Sequence, residues 1–336
     1  MNTRCNRREV LKAAGLGAAA VALPGLVSAP AAETKAENQK RPNVLFVMTD
    51  QQTLRAMGAC GDEHLKTPNM DRLAAGGVRF ERSYCTSPVC GPSRSSLMTG
   101  RMPHETGVNV NGQSIEPAIP NMGQVFRRAG YETAWAGKWH LPASYPRADA
   151  IPGFEYLRVT KKVRFALGGS TDDPVADEAI RFLRRGHDRP FLLGVSLHNP
   201  HDICYWTGRK PVEQQDPEGL PPLPANFAID PHEPEFITWC RRRRKYGPEN
   251  THTVDWDDTQ WRAYLRAYYD FTEQVDRTLG RVLAAVRQAG LEDNTVVLFT
   301  SDHGEGCAAH HCLVHDLPHS EHPTVPFVIR CPGVVP

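Results

Sequence analysis

Two closely similar apolar strings lie near opposite ends of the chain, and each ends in an aspartate. Val44-Leu-Phe-Val-Met-Thr-Asp50 and Val296-Val-Leu-Phe-Thr-Ser-Asp302 are short and rich in β-branched and aromatic residues, which is typical of buried strands. Two carboxylates at the ends of adjacent buried strands would repel each other unless a cation lay between them. We therefore predict a cation site at one edge of a sheet, and carboxylate oxygens favour a hard ion such as Ca²⁺.

Short apolar runs alternate with amphipathic segments along the rest of the chain. Buried strands are predicted over Asn43–Met48, Tyr131–Ala136, Phe191–Leu197 and Thr295–Thr300. Helices are predicted from Thr67-Pro68 to Gly76-Gly77, and over Asn121–Ala129, Asp173–Arg184 and about Thr259–Ala289. This alternation predicts an α/β fold in which a large, mainly parallel sheet is sandwiched by helices. A chain of 336 residues is long enough for one large domain of this kind.

Titratable side chains follow each of the predicted strands. In chain order they are Asp50, Lys138 with His140, His198, and Asp302 with His303. Any one of them could be a helix cap or a surface charge. In open α/β sheets, however, ligands bind at the carboxyl ends of the strands. The repetition therefore predicts one shared site at that edge.

A cysteine is predicted at the start of another helix. Pro92 suits the first turn of a helix and Gly100 suits its end, so Cys90 would lie at the helix N-terminus, where free N–H groups favour negative charge. Arg94 lies one turn further along the same face. A nucleophile beside an anion-holding arginine suits tetrahedral oxyanions, and the alternative is an inert buried cysteine.

The segment around this cysteine resembles the signature of the type I sulfatases, members of the alkaline phosphatase superfamily. The matching positions are Cys90-Gly-Pro-Ser-Arg94, Leu97, Thr99, Gly100 and Arg101. The resemblance extends from about Pro42 to Gly333 and implies an alkaline phosphatase/sulfatase-like fold. It also implies that a formylglycine-modifying enzyme oxidises Cys90 to formylglycine, whose hydrated aldehyde attacks the sulfur of a sulfate ester.

The same resemblance implies roles for the other candidate residues. The implied metal ligands are Asp50, Gln51, the modified Cys90, Asp302 and His303. Arg94 would steady the nucleophile, and the residues that bind sulfate or assist the leaving group would be Lys138, His140 and His198. His315 stands where the family usually has a sulfate-binding lysine, and His310 falls on the family's usual histidine in the same loop.

Two of the implied metal ligands depart from the commonest family pattern. Gln51 stands where the family has a second aspartate, and His303 stands where it has an asparagine. The ligand set then carries two formal negative charges rather than three. Ca²⁺ remains the expected ion, and the histidine leaves Mn²⁺ or Zn²⁺ as alternatives.

Two further segments each allow two interpretations. The six histidines between His303 and His322 could form a separate zinc-binding tract, but their spacing from Asp302 favours a single active-site loop. The basic run Arg241–Lys245 is typical of solvated surface. Alternatively, it is a landing patch for a polyanionic substrate such as a sulfated polysaccharide.

The N-terminal residues are predicted to be an export signal. Residues 1–32 combine a twin-arginine pair, Arg7-Arg8, with a short apolar run, Ala13–Leu23, and a small-residue cleavage site. That run is too short to span a bilayer, so we expect a removed signal rather than a membrane anchor. Residues 33–41 would be a linker and 42–336 the sulfatase catalytic domain. The expected partner is the twin-arginine translocase, and the expected location is periplasmic or secreted.

The overall charge, the cysteines and the C-terminus give three further expectations. The net charge of +1 gives no global field that would favour nucleic acid. The nine cysteines show no spacing from which a disulfide pairing could be deduced, and most are expected to be small buried residues. The chain stops just after a predicted strand, so the family's usual small C-terminal antiparallel domain is expected to be absent.

The motif residues and the family resemblance together predict a sulfuric ester hydrolase. Its expected substrate is a sulfated small molecule or carbohydrate, and a carbohydrate is favoured. One alternative is a phosphonate monoester or phosphodiester hydrolase of the same superfamily, which also uses formylglycine. The other alternative is an inactive, truncated protein that binds sulfated glycans through its basic run.

Overall fold

The computed structural model of the protein describes residues 41–142, 150–159, 172–207, 217–243, 245–246, 251–313, 315 and 317–333. The predicted signal peptide, residues 1–32, and the predicted linker up to residue 40 lie outside this part of the chain. Within it, no helix combines the length and the apolar character needed to cross a membrane.

In the part of the chain that the structure describes, nine strands form one large sheet and one small one. Their bounds are β1 Asn43–Asp50, β2 Val78–Arg79, β3 Glu132–Gly137, β4 Glu155–Leu157, β5 Phe191–Pro200, β6 Lys245–Tyr246, β7 Thr251–His252, β8 Thr295–Ser301 and β9 Phe327–Arg330. The large sheet has seven strands in the order β2-β9-β8-β1-β5-β3-β4. Strands β6 and β7 pair separately and antiparallel.

The large sheet is mainly parallel, as the sequence predicts. β1 pairs in parallel with β8 on one side and β5 on the other, and β9 and β2 are added antiparallel at one edge. Thr49 lies opposite Ser301, so the residues that follow them, Asp50 and Asp302, reach the same edge of the sheet. The predicted adjacency of the two similar strings is confirmed.

Helices cover the sheet on both faces. Their bounds are α1 Pro68–Ala75, α2 Cys90–Thr99, α3 Pro103–Thr106, α4 Met122–Arg128, α5 Asp173–Arg184, α6 Ile203–Trp206, α7 Glu235–Arg243 and α8 Asp258–Gln288. Short 3₁₀ turns occupy Gly58–Cys60, Pro217–Gly219, Thr253–Asp255, Glu292–Asn294 and Ala309–His311.

The helix ends follow local sequence signals. The Asn121 side chain accepts a hydrogen bond from the Gln124 backbone and begins α4, and Asp257 begins α8 in the same way through Gln260. Gly100 ends α2 with a φ of 69°, a conformation that costs glycine little. The predicted helix boundaries therefore agree with the observed ones to within about two residues.

Alternate residues of β1 enter two separate cores, as expected for a strand buried on both faces. Leu45 and Val47 pack with α5 and α8 on one face. Phe46 and Met48 pack on the other face against Met98 of α2. The sheet therefore lies between two layers of helices, and α2, which carries Cys90, belongs to the second layer.

The cysteines of the described residues form no disulfide bonds. Cys90 and Cys312 are buried, but the others are partly exposed. The expectation that most cysteines are small buried residues is therefore wrong. They lie mainly in loops and on helix surfaces at the margins of the cores, where they keep some contact with solvent.

Candidate active site

Two aspartates meet at the carboxyl edge of the central strands. Asp50 is the last residue of β1 and Asp302 directly follows β8, and both are fully buried. The Asp302 backbone N–H donates to the Thr49 carbonyl at 3.2 Å, and the Gln51 backbone N–H donates to Asp302 Oδ1 at 3.1 Å. The parallel pairing of β1 and β8 thus fixes both carboxylates in one place.

Arg94 joins both carboxylates from α2. Its Nη2 lies 2.8 Å from Asp50 Oδ2 and its Nε lies 2.7 Å from Asp302 Oδ2. Its Nη1 donates to the Lys138 carbonyl at 2.9 Å and to Ser196 Oγ at 3.0 Å. Burial alone would lower the pKa of Arg94, but Asp302 and Asp50 raise it. The guanidinium is therefore a fixed cation that holds the site together.

Cys90 lies at the first turn of α2, beside a histidine and a lysine. Its Sγ is 3.1 Å from His303 Nε2, 3.8 Å from Lys138 Nζ and 3.9 Å from Asp50 Oδ1. Only 2% of the residue is exposed. The predicted helix start and the predicted convergence of Cys90 with the strand-end residues both agree with this geometry.

Glycine is required next to Cys90. A Cβ atom on Gly91 would lie 2.9 Å from Asn111 Oδ1, which already accepts a 2.7 Å hydrogen bond from the Gly91 N–H. The first turn of α2 is thereby tied to the loop after α3, and any larger side chain would push Cys90 out of position.

Lys138 enters the site from the end of β3. The strand turns at Gly137, where φ is 93° and a Cβ atom would lie 2.0 Å from the Ser196 carbonyl. Lys138 is buried and its ammonium contacts Asp50 Oδ2. Burial alone would lower the pKa of Lys138, but Asp50 raises it. Burial would likewise raise the pKa of Asp50, but Lys138, His201 and Arg94 hold it well below its usual value. Both groups are therefore charged at neutral pH.

Three histidines lie around Lys138. His198 is buried, and its Nε2 lies 3.3 Å from Asp202 Oδ1. The His201 ring is 4.7 Å from that of His198, and burial and Lys138 hold its pKa well below the usual value. Burial, together with Lys138, lowers the pKa of His140 to about 4. His140 and His201 are therefore neutral at physiological pH.

The site contains a group of side chains that could hold a metal ion. Ligand atoms of Asp50, Cys90, Asp302 and His303 all lie within 4.8 Å of one another. Burial alone would lower the pKa of His303, but Asp302 and Cys90 raise it to about 10, so the surrounding anionic groups attract positive charge. Two carboxylates, an imidazole and a sulfur position suit a divalent cation, and the group contains four of the five predicted ligands, all but Gln51.

Gln51, the remaining predicted metal ligand, is fully buried beside this group. Its Nε2 contacts Glu305 Oε2 and lies 3.3 Å from Cys204 Sγ. Its carbonyl accepts a 2.8 Å hydrogen bond from Tyr268 Oη. The residue has a φ of 69°, which turns its side chain away from the direction that β1 would otherwise give it.

Of the two histidines predicted to bind the substrate, His315 lies beside His303, whereas His310 stacks on His319. The His315 ring lies 4.2 Å from the His303 ring, and His315 also forms a possible metal-binding group with Cys90 and His303. Burial and then His303 hold the pKa of His315 well below its usual value, so it is neutral and does not replace the positive charge of the family's lysine. The His310 ring instead stacks on His319 at 4.5 Å.

Arg241 does not belong to an exposed landing patch. Its Nη1 and Nη2 each donate to a Glu233 oxygen at 2.6 Å, and its Nε donates to the His310 carbonyl at 3.1 Å. It is 4% exposed, so the interpretation of Arg241–Lys245 as a wholly exposed run is wrong at its first residue. Arg242 is exposed, and the side chains of residues 243–245 lie outside the described part.

Reasoning from sequence missed two residues near the site. Glu305 is fully buried and contacts Gln51. His201 interacts electrostatically with Asp50 and Lys138. Both lie in strings already recognised as strand ends, Asp302-His-Gly-Glu305 and His198-Asn-Pro-His201, and this proximity is the signal that could have identified them.

Comparisons with known proteins agree with this geometry. The sulfatase family model matches residues 42–336. The chain is 30% identical over 321 residues to the Δ4,5-hexuronate-2-O-sulfatase of Bacteroides thetaiotaomicron, covering 89% of this chain and 64% of that protein. The chain thus spans less than two thirds of that relative's length.

Solved structures of a sulfatase and of a phosphonate monoester hydrolase are similar to this chain. BT1596, a 2-O GAG sulfatase, matches with a TM-score of 0.74 and 28% identity, covering 87% of this chain and 65% of that one. The phosphonate monoester hydrolase of Agrobacterium radiobacter matches with a TM-score of 0.71 and 25% identity, covering 87% and 68%. With a family match over nearly all of the described residues and this alkaline phosphatase-like fold, the chain belongs to the sulfatase family.

Proposed function

We propose that the protein hydrolyses sulfate esters and that its substrate is a sulfated carbohydrate or a related small sulfate ester. The observation that carries this proposal is the position of Cys90. Its Sγ lies at a helix N-terminus, 3.1 Å from His303 Nε2 and 3.8 Å from Lys138 Nζ. A helix N-terminus and the cationic Lys138 favour the binding of an anionic substrate beside Cys90. The hexuronate sulfatase and the GAG sulfatase among the similar proteins support a carbohydrate substrate.

The nucleophile of the proposed reaction derives from Cys90. We infer that a modifying enzyme oxidises this residue to formylglycine, because Pro92 and Arg94 stand where the family's motif requires them. The hydrated aldehyde would supply the hydroxyl that attacks sulfur. Arg94 holds this position because it joins the carboxylates of Asp50 and Asp302 to α2.

The proposed metal ligands are Asp50, Gln51, the modified Cys90, Asp302 and His303. Their carboxylate and amide oxygens support Ca²⁺, and the His303 imidazole leaves Mn²⁺ or Zn²⁺ as alternatives. A bound divalent ion would contribute positive charge that stabilises the negative charge developing on the reacting oxygens.

Lys138, His140 and His198 act on the substrate in this proposal. Lys138 is held cationic by Asp50 and would bind the sulfate oxygens. His140 is neutral at pH 7, because burial lowers its pKa to about 4, and would orient the substrate through a hydrogen bond. The Asp202 carboxylate lies 3.3 Å from His198 Nε2, and His198 would assist the departure of the alcohol oxygen.

The loop after β8 would complete the substrate pocket. His315 lies beside His303, and as a neutral imidazole it can donate one hydrogen bond to a sulfate oxygen but no full charge. His310 would act at a greater distance, by fixing the shape of the loop through its stacking on His319.

A phosphonate monoester hydrolase is the second candidate function, and it is favoured by one specific observation. The phosphonate monoester hydrolase of Agrobacterium radiobacter has a similar fold at 25% identity. An inactive, glycan-binding protein is the third candidate. It would retain an unmodified thiol at Cys90 and bind sulfated glycans without turnover.

One experiment separates these candidates. The protein is co-expressed with a formylglycine-generating enzyme, and the mass of its Cys90 peptide is measured. The initial rates on an aryl sulfate and on an aryl phosphonate monoester are then compared. We expect the aldehyde mass and a higher kcat/KM on the sulfate. A higher kcat/KM on the phosphonate would favour the second candidate, and modified protein that is inactive on both substrates would count against either hydrolase.

We further infer that residues 1–32 are a signal peptide read by the twin-arginine translocase, that 33–41 are a linker and that 42–336 are the catalytic domain. Arg7-Arg8 and the apolar run Ala13–Leu23 support this division. The modified protein would then act in the periplasm or outside the cell. Mass analysis of the exported protein, with and without an Arg7→Lys/Arg8→Lys substitution, tests the cleavage and the route.

A further inference from the structure

We propose that Glu305 is a positioning residue of the metal site. Through a hydrogen bond it fixes the Gln51 amide so that the amide oxygen serves the metal, and it adds the negative charge that Gln51 itself lacks. This inference rests on the proposed function, because it assumes that the group around Asp50 and Asp302 binds a divalent ion.

Glu305 is a fully buried carboxylate held by two hydrogen-bond donors. Its Oε1 accepts a 2.5 Å hydrogen bond from Tyr264 Oη of α8, and its Oε2 contacts Gln51 Nε2. Burial and Glu305 keep the pKa of Tyr264 well above its usual value, so the phenol keeps its proton and remains a donor. Tyr264 lies on the long helix α8 and holds one carboxylate oxygen of Glu305, while Gln51 contacts the other.

Gln51 is held at its backbone as firmly as at its side chain. Its N–H donates to Asp302 Oδ1 at 3.1 Å, and its carbonyl accepts from Tyr268 Oη at 2.8 Å. With the backbone fixed on both sides, the side chain retains one main freedom, which is the choice of the amide end that faces Glu305.

The chemistry of the two groups settles that choice. In the contact between Gln51 Nε2 and Glu305 Oε2 the amide nitrogen donates and the carboxyl oxygen accepts, and the opposite end of the amide is an acceptor. Glu305 therefore selects Nε2 of Gln51 as its partner. The oxygen Oε1, which accepts a long contact of 3.5 Å from the Cys204 thiol, is left as the end that can bind a cation.

The charge balance gives Glu305 a second effect. Asp50 and Asp302 are already paired with two buried cations, Arg94 and Lys138. The charges of these four side chains cancel, so together they offer a divalent ion no net negative charge. A further buried carboxylate, one hydrogen bond behind Gln51, offsets part of the added charge. Hydrogen-bonded partners of metal ligands typically change metal affinity by about 10–100-fold when removed.

The first test measures metal binding rather than turnover. Protein stripped with a chelator is titrated with Ca²⁺ in a calorimeter, comparing wild type with Glu305→Gln. We expect Glu305→Gln to weaken Ca²⁺ binding by about 10–100-fold. The matched control is Asp276→Asn, which neutralises another fully buried carboxylate, one that accepts hydrogen bonds from Asn69 and Met70. This control is expected to keep the wild-type affinity.

A second test exchanges the amide of Gln51 and the carboxylate of Glu305. It examines the role of Glu305 even if the single variant Glu305→Gln does not fold. Gln51→Asp alone brings two carboxylates into contact and should lower Ca²⁺ affinity or stability, because like charges at this distance repel. In Gln51→Asp/Glu305→Gln the carboxylate stands at position 51 and the amide at position 305. The negative charge is therefore closer to the metal site, and a hydrogen bond between the two side chains is again possible. The double variant should therefore recover at least wild-type Ca²⁺ affinity.

The outcomes separate this inference from the proposed function. Wild-type affinity in Glu305→Gln, or failure of Glu305→Gln to improve Gln51→Asp, would overturn the role of Glu305. If Ca²⁺ binding is also unaffected by Asp50→Asn, the metal site itself is misplaced and the proposed function fails with it. If Asp50→Asn abolishes binding and Glu305→Gln does not, only the present inference fails.

Discussion

Arg94 Nε lies 2.7 Å from Asp302 Oδ2, and both side chains are excluded from solvent. This ion pair joins the helix that begins with Cys90 to the end of β8. The same guanidinium reaches Asp50 at the end of β1, so one residue fixes the start of α2 relative to both carboxylates. The arginine of the sulfatase motif therefore has a structural effect that can be measured separately from catalysis.

Arg94→Ala should destabilise the protein by about 3–5 kcal/mol, because it leaves two buried carboxylates without their shared cation. The free energy of unfolding in urea measures this effect on protein stripped of metal. The matched control is Arg266→Ala, which removes partly exposed pairs with Asp270 and Glu273 on one face of α8 and should cost about 1 kcal/mol or less. Equal losses in the two variants would contradict the clamping role.

Asp50→Asn and Asp302→Asn should each abolish turnover and strongly weaken binding of a divalent ion. Each removes one of the two aspartates in the proposed ligand set. Chelation should inactivate the wild-type protein, and added Ca²⁺ should restore its activity. Activity that survives exhaustive chelation would show that the group around Asp50 does not hold a required metal.

The pair of Glu233 and Arg241 should make stability depend on acid pH. Hydrogen bonds from Arg241 lower the pKa of Glu233 to about 2. A depressed carboxylate pKa stabilises the fold above the unfolded-state pKa, and this contribution disappears as the pH falls towards the folded-state value. Glu233→Gln should therefore lower the free energy of unfolding at pH 7 by about 1–2 kcal/mol, after allowance for solvent screening.

The measurement is urea unfolding of wild type and Glu233→Gln between pH 7 and pH 2, where the difference should shrink from about pH 4.5 downward. Glu292→Gln removes a more exposed pair with Arg330 and serves as the control, with a loss near zero expected. A difference that stays constant over the whole range would assign the effect to packing instead of charge.

Arg242 should contribute to the capture of a polyanionic substrate, although Arg241 does not. Arg242→Gln is expected to raise KM on a sulfated polysaccharide at low salt and to leave kcat on a small aryl sulfate unchanged, because exposed charges mainly affect encounter. Arg181→Gln, at an exposed arginine of α5, is the control. An equal rise in KM for both variants would indicate a general charge effect instead of a landing patch.

The sequence predicted the sheet and its polar edge well, because those features depend on local signals. The strands are short apolar runs, and the helices α4 and α8 begin at capping residues, Asn121 and Asp257, that sit next to the residues they cap. The similarity of the strings before Asp50 and Asp302 correctly indicated neighbouring strands.

Features that depend on long-range contacts could not be predicted. The charge run at Arg241 gives no sign that its first residue turns inward to Glu233 and to the carbonyl of His310. The left-handed backbone of Gln51, which brings its amide to Glu305, is equally invisible in the sequence. His315 lies beside His303, but its lowered pKa arises from burial that only the folded loop produces.

The most direct test of the whole account is sulfate release by the wild-type protein and by Cys90→Ala, each co-expressed with a formylglycine-generating enzyme. Inorganic sulfate freed from a sulfated glycan is measured by ion chromatography, after mass analysis has verified the aldehyde in the wild-type peptide. Cys312→Ala, at the other buried cysteine, controls for loss of a thiol. The account predicts sulfate release by wild type and Cys312→Ala, and none by a folded Cys90→Ala. Equal release by Cys90→Ala would contradict it.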